Sequence, residues 1–257
     1  MQPSAEDQVR FLTNIQRLLS EGLFTASYKY ALLLALADLA LECGDDSGEV
    51  LQLNTRQIAR KFIRLYWRHV VPYIPKAAEA GVILQQNTDR QAAIVRLIAE
   101  ARMRAGGSFT ALQRDTAAWP MLVNGVANVV SVMPLWKLQR VGNSVLDFLY
   151  EQTGAGASIN LRRGVAFCLR KFHPLITELV RSAWVQFVPK LNSPALGATA
   201  DLEEFLFGSN RADLSPIRPL LQDLQEDCCF YCGLNLVTGA DVDHFIPWSH
   251  LSCGPGA

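Results

Sequence analysis

The sequence predicts a mainly α fold, with a helical domain over residues 1–225 and a small C-terminal module over residues 226–257. Half of the 257 residues are hydrophobic, which is enough apolar material for a sizeable core. Apolar side chains recur at helical spacing along much of the chain. Four of the six cysteines crowd into the last thirty positions, which indicates a separate module there.

The first helices are predicted from periodicity and from the residues that start and stop them. Residues 23–43 form an apolar run typical of a buried helix. The next helix begins at Asn54 or Thr55, since either side chain can cap it. It continues to about Val71, because Pro72 cannot extend a helix.

Further helices are predicted over residues 91–104, 164–188, 202–207 and 216–224. Residues 119–138 combine a rising share of β-branched side chains with prolines, so their structure stays open. The coarse picture is therefore a helical domain that leads into the cysteine-rich end.

Charge is unevenly distributed along a chain whose formal net charge is zero. Residues 51–115 hold 11 basic and 4 acidic side chains, and residues 116–200 hold 8 and 3. Residues 1–50 hold 3 basic and 8 acidic side chains. The middle of the chain is thus able to present a basic face to phosphates, although solvated helix faces would give the same counts.

Four arginines recur every fourth residue on the predicted second helix and mark one of its faces. They are Arg56, Arg60, Arg64 and Arg68. The apolar residues on the other faces, which are able to pack, are Ile58, Phe62, Leu65 and Tyr66. This pattern predicts a DNA-binding face, because Arg is a common phosphate partner. The alternative is an interaction domain that recruits a partner or builds an oligomer.

The expected compartment is the cytoplasm, without membrane contact. No apolar run reaches the roughly 18 residues that span a bilayer, and the longest candidate, residues 30–41, is interrupted by Asp38. Residues 1–8 hold acids and no basic flank, unlike a signal peptide. In that compartment a cysteine cluster suggests a metal site rather than disulfides.

The sequence from Cys229 to Gly233, CFYCG, has the spacing of a zinc knuckle. Two thiolates separated by two residues can reach one ion, and glycine tolerates the tight turn that follows Cys232. One such pair is only half of a tetrahedral site, and a chance pair in a core would look the same.

The remaining histidines and cysteines are expected to be structural or bystander residues. Cys43 and Cys168 lie in apolar helical contexts, which predicts small core residues. His69 and His173 are expected to be structural or on the surface, and Cys228 to be a bystander beside the zinc pair.

A carboxylate and an imidazole follow the cysteine pair at a spacing that suits hydrolysis. Residues 234–237 are predicted to form a strand, and residues 241–247 a second extended segment that ends at a proline. Asp243 can bind a divalent cation through oxygen. His244, on the opposite side of an extended segment, can take a proton from water. The cation would stabilise charge on a phosphate and its leaving oxygen.

The string CFYCG, a short hairpin and VDHFIPWS together resemble the opening of HNH endonucleases of the ββα-metal type. The resemblance implies a nuclease that hydrolyses DNA phosphodiester bonds with Mg²⁺ or Mn²⁺, in bacterial defence or mobile-element biology. Asp243 would bind the catalytic metal and His244 would be the general base. Cys229 and Cys232 would hold a structural Zn²⁺. The segments TASYKYALLLALADLA, PLWKL and DLEEFLFGS also resemble the helical region of bacterial HNH proteins.

The departure from that family is as informative as the match. After IPWS the family continues with a strand, an Asn, a second C-x-x-C and a helix bearing a second metal ligand. This chain continues only with HLSCGPGA, residues 250–257. We therefore expect an incomplete, truncated HNH module that is weakly active or inactive. The alternative is a non-catalytic DNA- or protein-binding helical domain with a vestigial zinc knuckle.

Overall fold

In the computed structural model, the described residues are 2–22, 24–74, 81–88, 91–151, 157–192, 199–208, 222–225, 228 and 235. The chain divides into two compact units, Met1–Phe207 and Gly208–Ala257. The first unit is mainly helical, which confirms the predicted fold class at that level.

Helices of very different lengths make up most of the described part of the first unit. They are α1 (Ala5–Glu21), α2 (Tyr28–Cys43), α3 (Thr55–Tyr66), α4 (Ala93–Arg104), α5 (Phe109–Arg114), α6 (Ala118–Val132), α7 (Pro134–Lys137), α8 (Val165–Lys171), α9 (His173–Leu191) and α10 (Thr199–Phe207). The short strands between them are β1 (Leu51–Asn54), β2 (Arg140–Val141), β3 (Ser144–Val145) and β4 (Ser158–Leu161). Both strand pairs, β1 with β4 and β2 with β3, are antiparallel.

The core is built around α2, because nearly every side of this helix is apolar. Eleven of its sixteen residues are buried. Helices α3, α7, α8 and α9 all pack against it. A helix that is hydrophobic all round is stable in water only when neighbouring elements cover it, and α2 is covered in this way. It begins at Tyr28, later than the predicted position 23, after a turn at Ser27.

Helix α3 starts at a capping box and at the β1–β4 pair. The Asn54 side chain accepts a hydrogen bond from the Arg56 amide at 2.8 Å. The Asn54 amide donates in return to Gln57 Oε1 at 2.8 Å. The amide and hydroxyl of Thr55 both donate to the carbonyl of Ala157, next to β4. These contacts satisfy backbone donors that a helix start leaves free, and they fix the position of α3.

The end of α3 differs from the prediction. The helix stops at Tyr66 rather than near Val71, and turns follow it. The amides of His69 and Val71 donate to carbonyls three residues earlier, at 3.0 and 3.2 Å. The ring of Pro72 would clash with the carbonyl of Arg68 in a continued α-helix, so the segment leaves the helix as tightened turns before it reaches Pro72.

One further helix prediction was wrong in detail, and one open segment proves helical. Residues 164–188 are not one helix, because α8 and α9 are separated at Phe172. Pro174 lies in the first turn of α9, where backbone amides have no partner within the helix, so the missing N–H costs no hydrogen bond. Its ring would clash with the preceding turn of a continuous helix, so α8 ends before it. Residues 119–138, left open by the sequence, form α6 and α7, which are separated at Met133.

Among the described residues, Ala118–Lys137 is one stretch that is long and apolar enough to cross a membrane. Core helices of soluble proteins meet the same criterion. The sequence prediction overlooked it because Pro120 and two asparagines interrupt the apolar run. Leu122, Val126 and Val130 of α6 are buried, and α3 packs along this helix. One face of α6 therefore packs into the first unit, while Met121 and Val132 of the same helix are exposed.

Candidate nucleic-acid interface

The four arginines predicted to bind DNA all lie on the surface of the first unit. Arg56, Arg60 and Arg64 are exposed on α3, and Arg68 is exposed in the turn that follows it. A four-residue step rises about 6 Å and turns about 40° around a helix. Arg56, Arg60 and Arg64 therefore form a strip that winds gradually along α3, and Arg68 follows in the turn after the helix. We call these four residues the arginine strip.

Within the described part of the chain, the guanidinium groups of the arginine strip make no hydrogen bond and no ion pair. Neighbouring cations behave differently. Lys61 pairs with the carboxylates of Glu42 and Asp38. Arg102 lies over the ring of Trp67, 4.9 Å from its centroid. The positive charge of the arginine strip is thus exposed to solvent and free to meet an anionic partner.

The inner face of α3 is buried in the core and holds the strip in place. Ile58, Phe62 and Tyr66 are fully buried, as predicted, and Leu65 is partly buried. The Tyr66 hydroxyl lies 2.6 Å from the hydroxyl of Ser27, at the start of α2. Because the inner face is close-packed, the arginine side chains extend from a fixed backbone.

A groove of about 280 Å³ lies beside the arginine strip, where α3 meets α5 and α6. Its charged, amide and aromatic lining residues are Glu42, Gln57, Arg60, Lys61, Arg64, Phe109, Gln113 and Trp119. The Phe109 and Trp119 rings meet edge to face, with centroids 5.9 Å apart. The sequence did not identify these aromatic residues as site residues. They follow Arg64 by 45 and 55 positions, so only tertiary packing brings them together.

A second cavity, of about 420 Å³, lies elsewhere, between α1 and α8. Each arginine that lines it already pairs with a carboxylate: Arg10 with Asp7, Arg162 with Asp147, and Arg163 with Glu49. These charges are locally balanced, so this cavity attracts an anion less strongly than the groove beside α3.

Both histidines of the first unit have structural partners. His69 is fully buried between aromatic rings, and its Nε2 atom lies 3.0 Å from the carbonyl oxygen of Leu206. Burial lowers the pKa of His69 to about 4, so the ring is neutral near pH 7. His173 Nε2 lies 2.9 Å from a carboxylate oxygen of Asp38. The structural role predicted for His69 is confirmed.

The described cysteines outside the predicted zinc pair differ in how far they are buried. Cys168 is buried as predicted, and burial raises the pKa of its thiol to about 11. Cys43 is exposed, contrary to the prediction, because it ends α2 where the helix reaches the surface. In the second unit, Cys228 forms an antiparallel bridge with Asn235, and its thiol donates to Asn235 Oδ1 at 3.4 Å.

The predicted metal and catalytic residues, Cys229, Cys232, Asp243 and His244, lie outside the described residues. Within the residues that the structure does describe, His, Cys, Asp and Glu form no group of three that could hold a metal ion. The bridge between Cys228 and Asn235 flanks the C-x-x-C segment on both sides.

The described geometry therefore offers one strongly cationic surface, the arginine strip, with an aromatic groove beside it. Unpaired guanidinium groups on a fixed helix are suited to binding successive phosphates, since each can donate two parallel hydrogen bonds to one phosphate. Compared with models of known protein families, with curated protein sequences and with solved structures, this chain matches none of them.

Proposed function

We propose that this chain binds DNA through the arginine strip, Arg56, Arg60, Arg64 and Arg68. The observation that carries the proposal is the set of four exposed guanidinium groups without a partner among the described residues. The opposite face of α3 is buried, so the cations extend from a rigid element. Phosphate contacts of this kind supply most of the affinity in non-specific DNA binding.

An ordinary solvated helix face is the competing explanation, and the charge pattern argues against it. On α1, Arg10 pairs with Glu6 and Arg17 pairs with Glu21, both at four-residue spacing. Helix α3 contains four basic residues and no acidic residue. Like charges four residues apart destabilise a helix by roughly 0.2–0.5 kcal/mol per pair. A bound polyanion would remove that repulsion.

We further propose that residues 226–257 contribute to a metal-dependent nuclease module of the HNH type. Asp243 would hold Mg²⁺ or Mn²⁺ through carboxylate oxygen, which suits a hard cation. His244 would take a proton from water as the oxygen attacks phosphorus, and the phosphodiester bond to the leaving oxygen would break. The support for this part is the spacing of CFYCG and VDHFIPWS in the sequence.

A structural zinc ion bound by Cys229 and Cys232 belongs to the same proposal. Two thiolates separated by two residues suit zinc, and the ion would tie the start of the module together. The antiparallel bridge of Cys228 with Asn235 is compatible with a chain reversal at this point, which a zinc knuckle requires. The thiol of Cys228 already has a hydrogen-bond partner, which favours its neighbours as ligands.

DNA binding is tested by titrating the full chain into a labelled 20-base-pair duplex between 50 and 200 mM salt. We expect affinity to fall steeply with salt, with a slope of about −0.9 per neutralised phosphate. The double variant Arg60→Ala, Arg64→Ala should bind more weakly and show a slope smaller by about two.

A matched control is Arg10→Ala, Arg17→Ala on α1, where both arginines already pair with glutamate. This variant loses the same formal charge and should bind the duplex nearly as tightly as the parent chain. Unchanged affinity and unchanged salt slope in the α3 variant would contradict the proposal.

The second candidate function is DNA or protein binding without catalysis. Plasmid cleavage with Mg²⁺ or Mn²⁺ separates the two candidates, with His244→Ala as the control for contaminating nuclease. Metal-dependent cleavage that His244→Ala abolishes supports the nuclease. Salt-dependent DNA binding with equal residual cleavage in both chains supports the non-catalytic candidate.

A further inference from the structure

The groove beside the arginine strip has the composition of a nucleotide site. Helix α3 supplies Arg60 and Arg64, and the starts of α5 and α6 supply Phe109 and Trp119. A positively charged groove with aromatic side chains is the arrangement by which proteins hold unpaired nucleotides, since every base has a face that can stack.

The aromatic side chains of the groove leave ring surface available for stacking. Phe109 meets Trp67 and Trp119 edge to face, at centroid distances of 5.0 and 5.9 Å. None of these three rings is stacked face to face on another described ring. Trp119 and Phe109 are only partly buried, although the core packs against both. Trp119 lines the groove and is partly exposed, so part of its indole is accessible from the groove.

The positions of both aromatic residues are fixed by local hydrogen bonds. The Asp115 side chain accepts from the amides of Ala117 and Ala118 at 2.9 and 2.8 Å, which fixes the start of α6 just before Trp119. The Ser108 hydroxyl accepts from the Ala111 amide at 3.2 Å and caps α5 just before Phe109. These caps hold the two rings ready for a ligand, which reduces the entropy lost on binding.

The charge of the groove suits one or two phosphates. Its charged lining residues are Glu42, Arg60, Lys61 and Arg64. Lys61 pairs with Glu42, so these two charges balance each other. Arg60 and Arg64 have no ion-pair partner among the described residues and leave a local charge of about +2 at the mouth.

We propose that this groove binds an unpaired nucleotide of DNA, with its base on Trp119 and its phosphate at Arg60 and Arg64. This inference rests on the proposed DNA binding through the arginine strip and names the substrate class: DNA with a single-stranded or extrahelical nucleotide. Its volume of about 280 Å³ is near the lower limit of small-ligand pockets and admits one base rather than a stacked duplex.

The test compares the affinity of the full chain for a labelled 20-nucleotide oligo(dT) and for a labelled 20-base-pair duplex, at one salt concentration. Trp119→Leu should weaken binding of the single strand by about 5- to 100-fold, the range that loss of one base–aromatic stack produces. Duplex affinity should change by no more than about twofold, because the arginine strip is intact. Trp119→Phe, which keeps an aromatic ring, should retain most of the single-strand affinity.

The matched control is Trp136→Leu, on α7 and outside the groove, where the tryptophan is 44% exposed. It should leave both affinities unchanged.

Equal single-strand affinity in Trp119→Leu and the parent chain would overturn the inference. Duplex binding by the parent chain in the same experiment would still support the proposed DNA binding. Failure of the parent chain to bind either DNA would overturn both. If Trp119→Leu lowers the unfolding temperature, both affinities are measured below that temperature, and parent-like duplex affinity shows that the variant is folded. An equal loss of single-strand and duplex affinity would then overturn the inference.

Discussion

The hydroxyl groups of Tyr66 and Ser27 lie 2.6 Å apart in the core and join the inner face of α3 to the start of α2. Ser27 precedes α2 but makes no capping hydrogen bond with its side chain. Both residues are fully buried, so each hydroxyl depends on the other for a partner. This bond is a buried polar link between the helix that carries the arginine strip and the central helix of the core.

We expect either single substitution, Tyr66→Phe or Ser27→Ala, to lower the free energy of unfolding by about 1–3 kcal/mol. Tyr66→Phe leaves the buried hydroxyl of Ser27 without a partner, and Ser27→Ala leaves the buried hydroxyl of Tyr66 without one. The double variant should be less destabilised than the sum of the two, since it removes both polar groups. Urea unfolding of the four chains measures this, and strict additivity would show that the hydroxyl pair contributes no coupling.

A second prediction concerns acid stability and His69. Burial lowers the pKa of His69 to about 4, whereas an unfolded histidine titrates near 6.5. Below pH 6.5 the unfolded chain therefore binds a proton that the folded chain does not. The contribution of this group to stability is complete above about pH 6.5 and falls by about 1.4 kcal/mol per pH unit until about pH 4.

The measurement is the free energy of unfolding between pH 4 and 7 for the parent chain and His69→Gln. Glutamine keeps a side-chain amide that can donate to the Leu206 carbonyl, and it does not titrate. We expect the variant to be less stable at pH 7 but to lose less stability on acidification. Two pH profiles of the same shape would show that His69 does not cause the acid sensitivity.

A third prediction concerns the cap that fixes the start of α3. Asn54→Ala removes the acceptor for the Arg56 amide and should lower stability by about 0.5–2 kcal/mol. Asn54→Ser restores a capping oxygen and should recover most of the loss. Thermal unfolding compares the three chains, and equal stability of Asn54→Ala and the parent would show that the capping box is unimportant for this helix.

Sequence reasoning located α3 well because several local signals agreed. A capping residue, an apolar stripe and a proline stop all delimit the same segment, and the arginines fall between its apolar positions. The exact end was wrong because the chain tightens into turns with three-residue hydrogen bonds after Tyr66, well before Pro72. The break at Phe172 was missed because Pro174 fits the first turn of a helix as well as the end of one.

Other features depend on tertiary contacts and had no local signal. Helix α6 is rich in valine, which favours strands in isolation, yet packing against α3 and α4 makes it helical. The groove could not be predicted either, since Arg64 and Trp119 come together only through the packing of α3 on α6. The predicted site residues Asp243 and His244 lie outside the described residues and remain predictions.

The last prediction concerns zinc and the pair Cys229 and Cys232. Two thiolates provide half of a tetrahedral coordination shell, so we expect this chain to bind zinc weakly or in less than a one-to-one ratio. The double variant Cys229→Ser, Cys232→Ser should lose this binding, because serine is a poor zinc ligand. Cys43→Ser removes an exposed thiol far from the pair in sequence and should bind zinc as the parent does. Metal analysis of protein purified without added zinc gives the molar ratio of zinc to protein for each chain.

Tight binding of one zinc ion per parent chain would contradict this prediction. It would mean that Cys228, His250 or Cys253 completes the coordination shell.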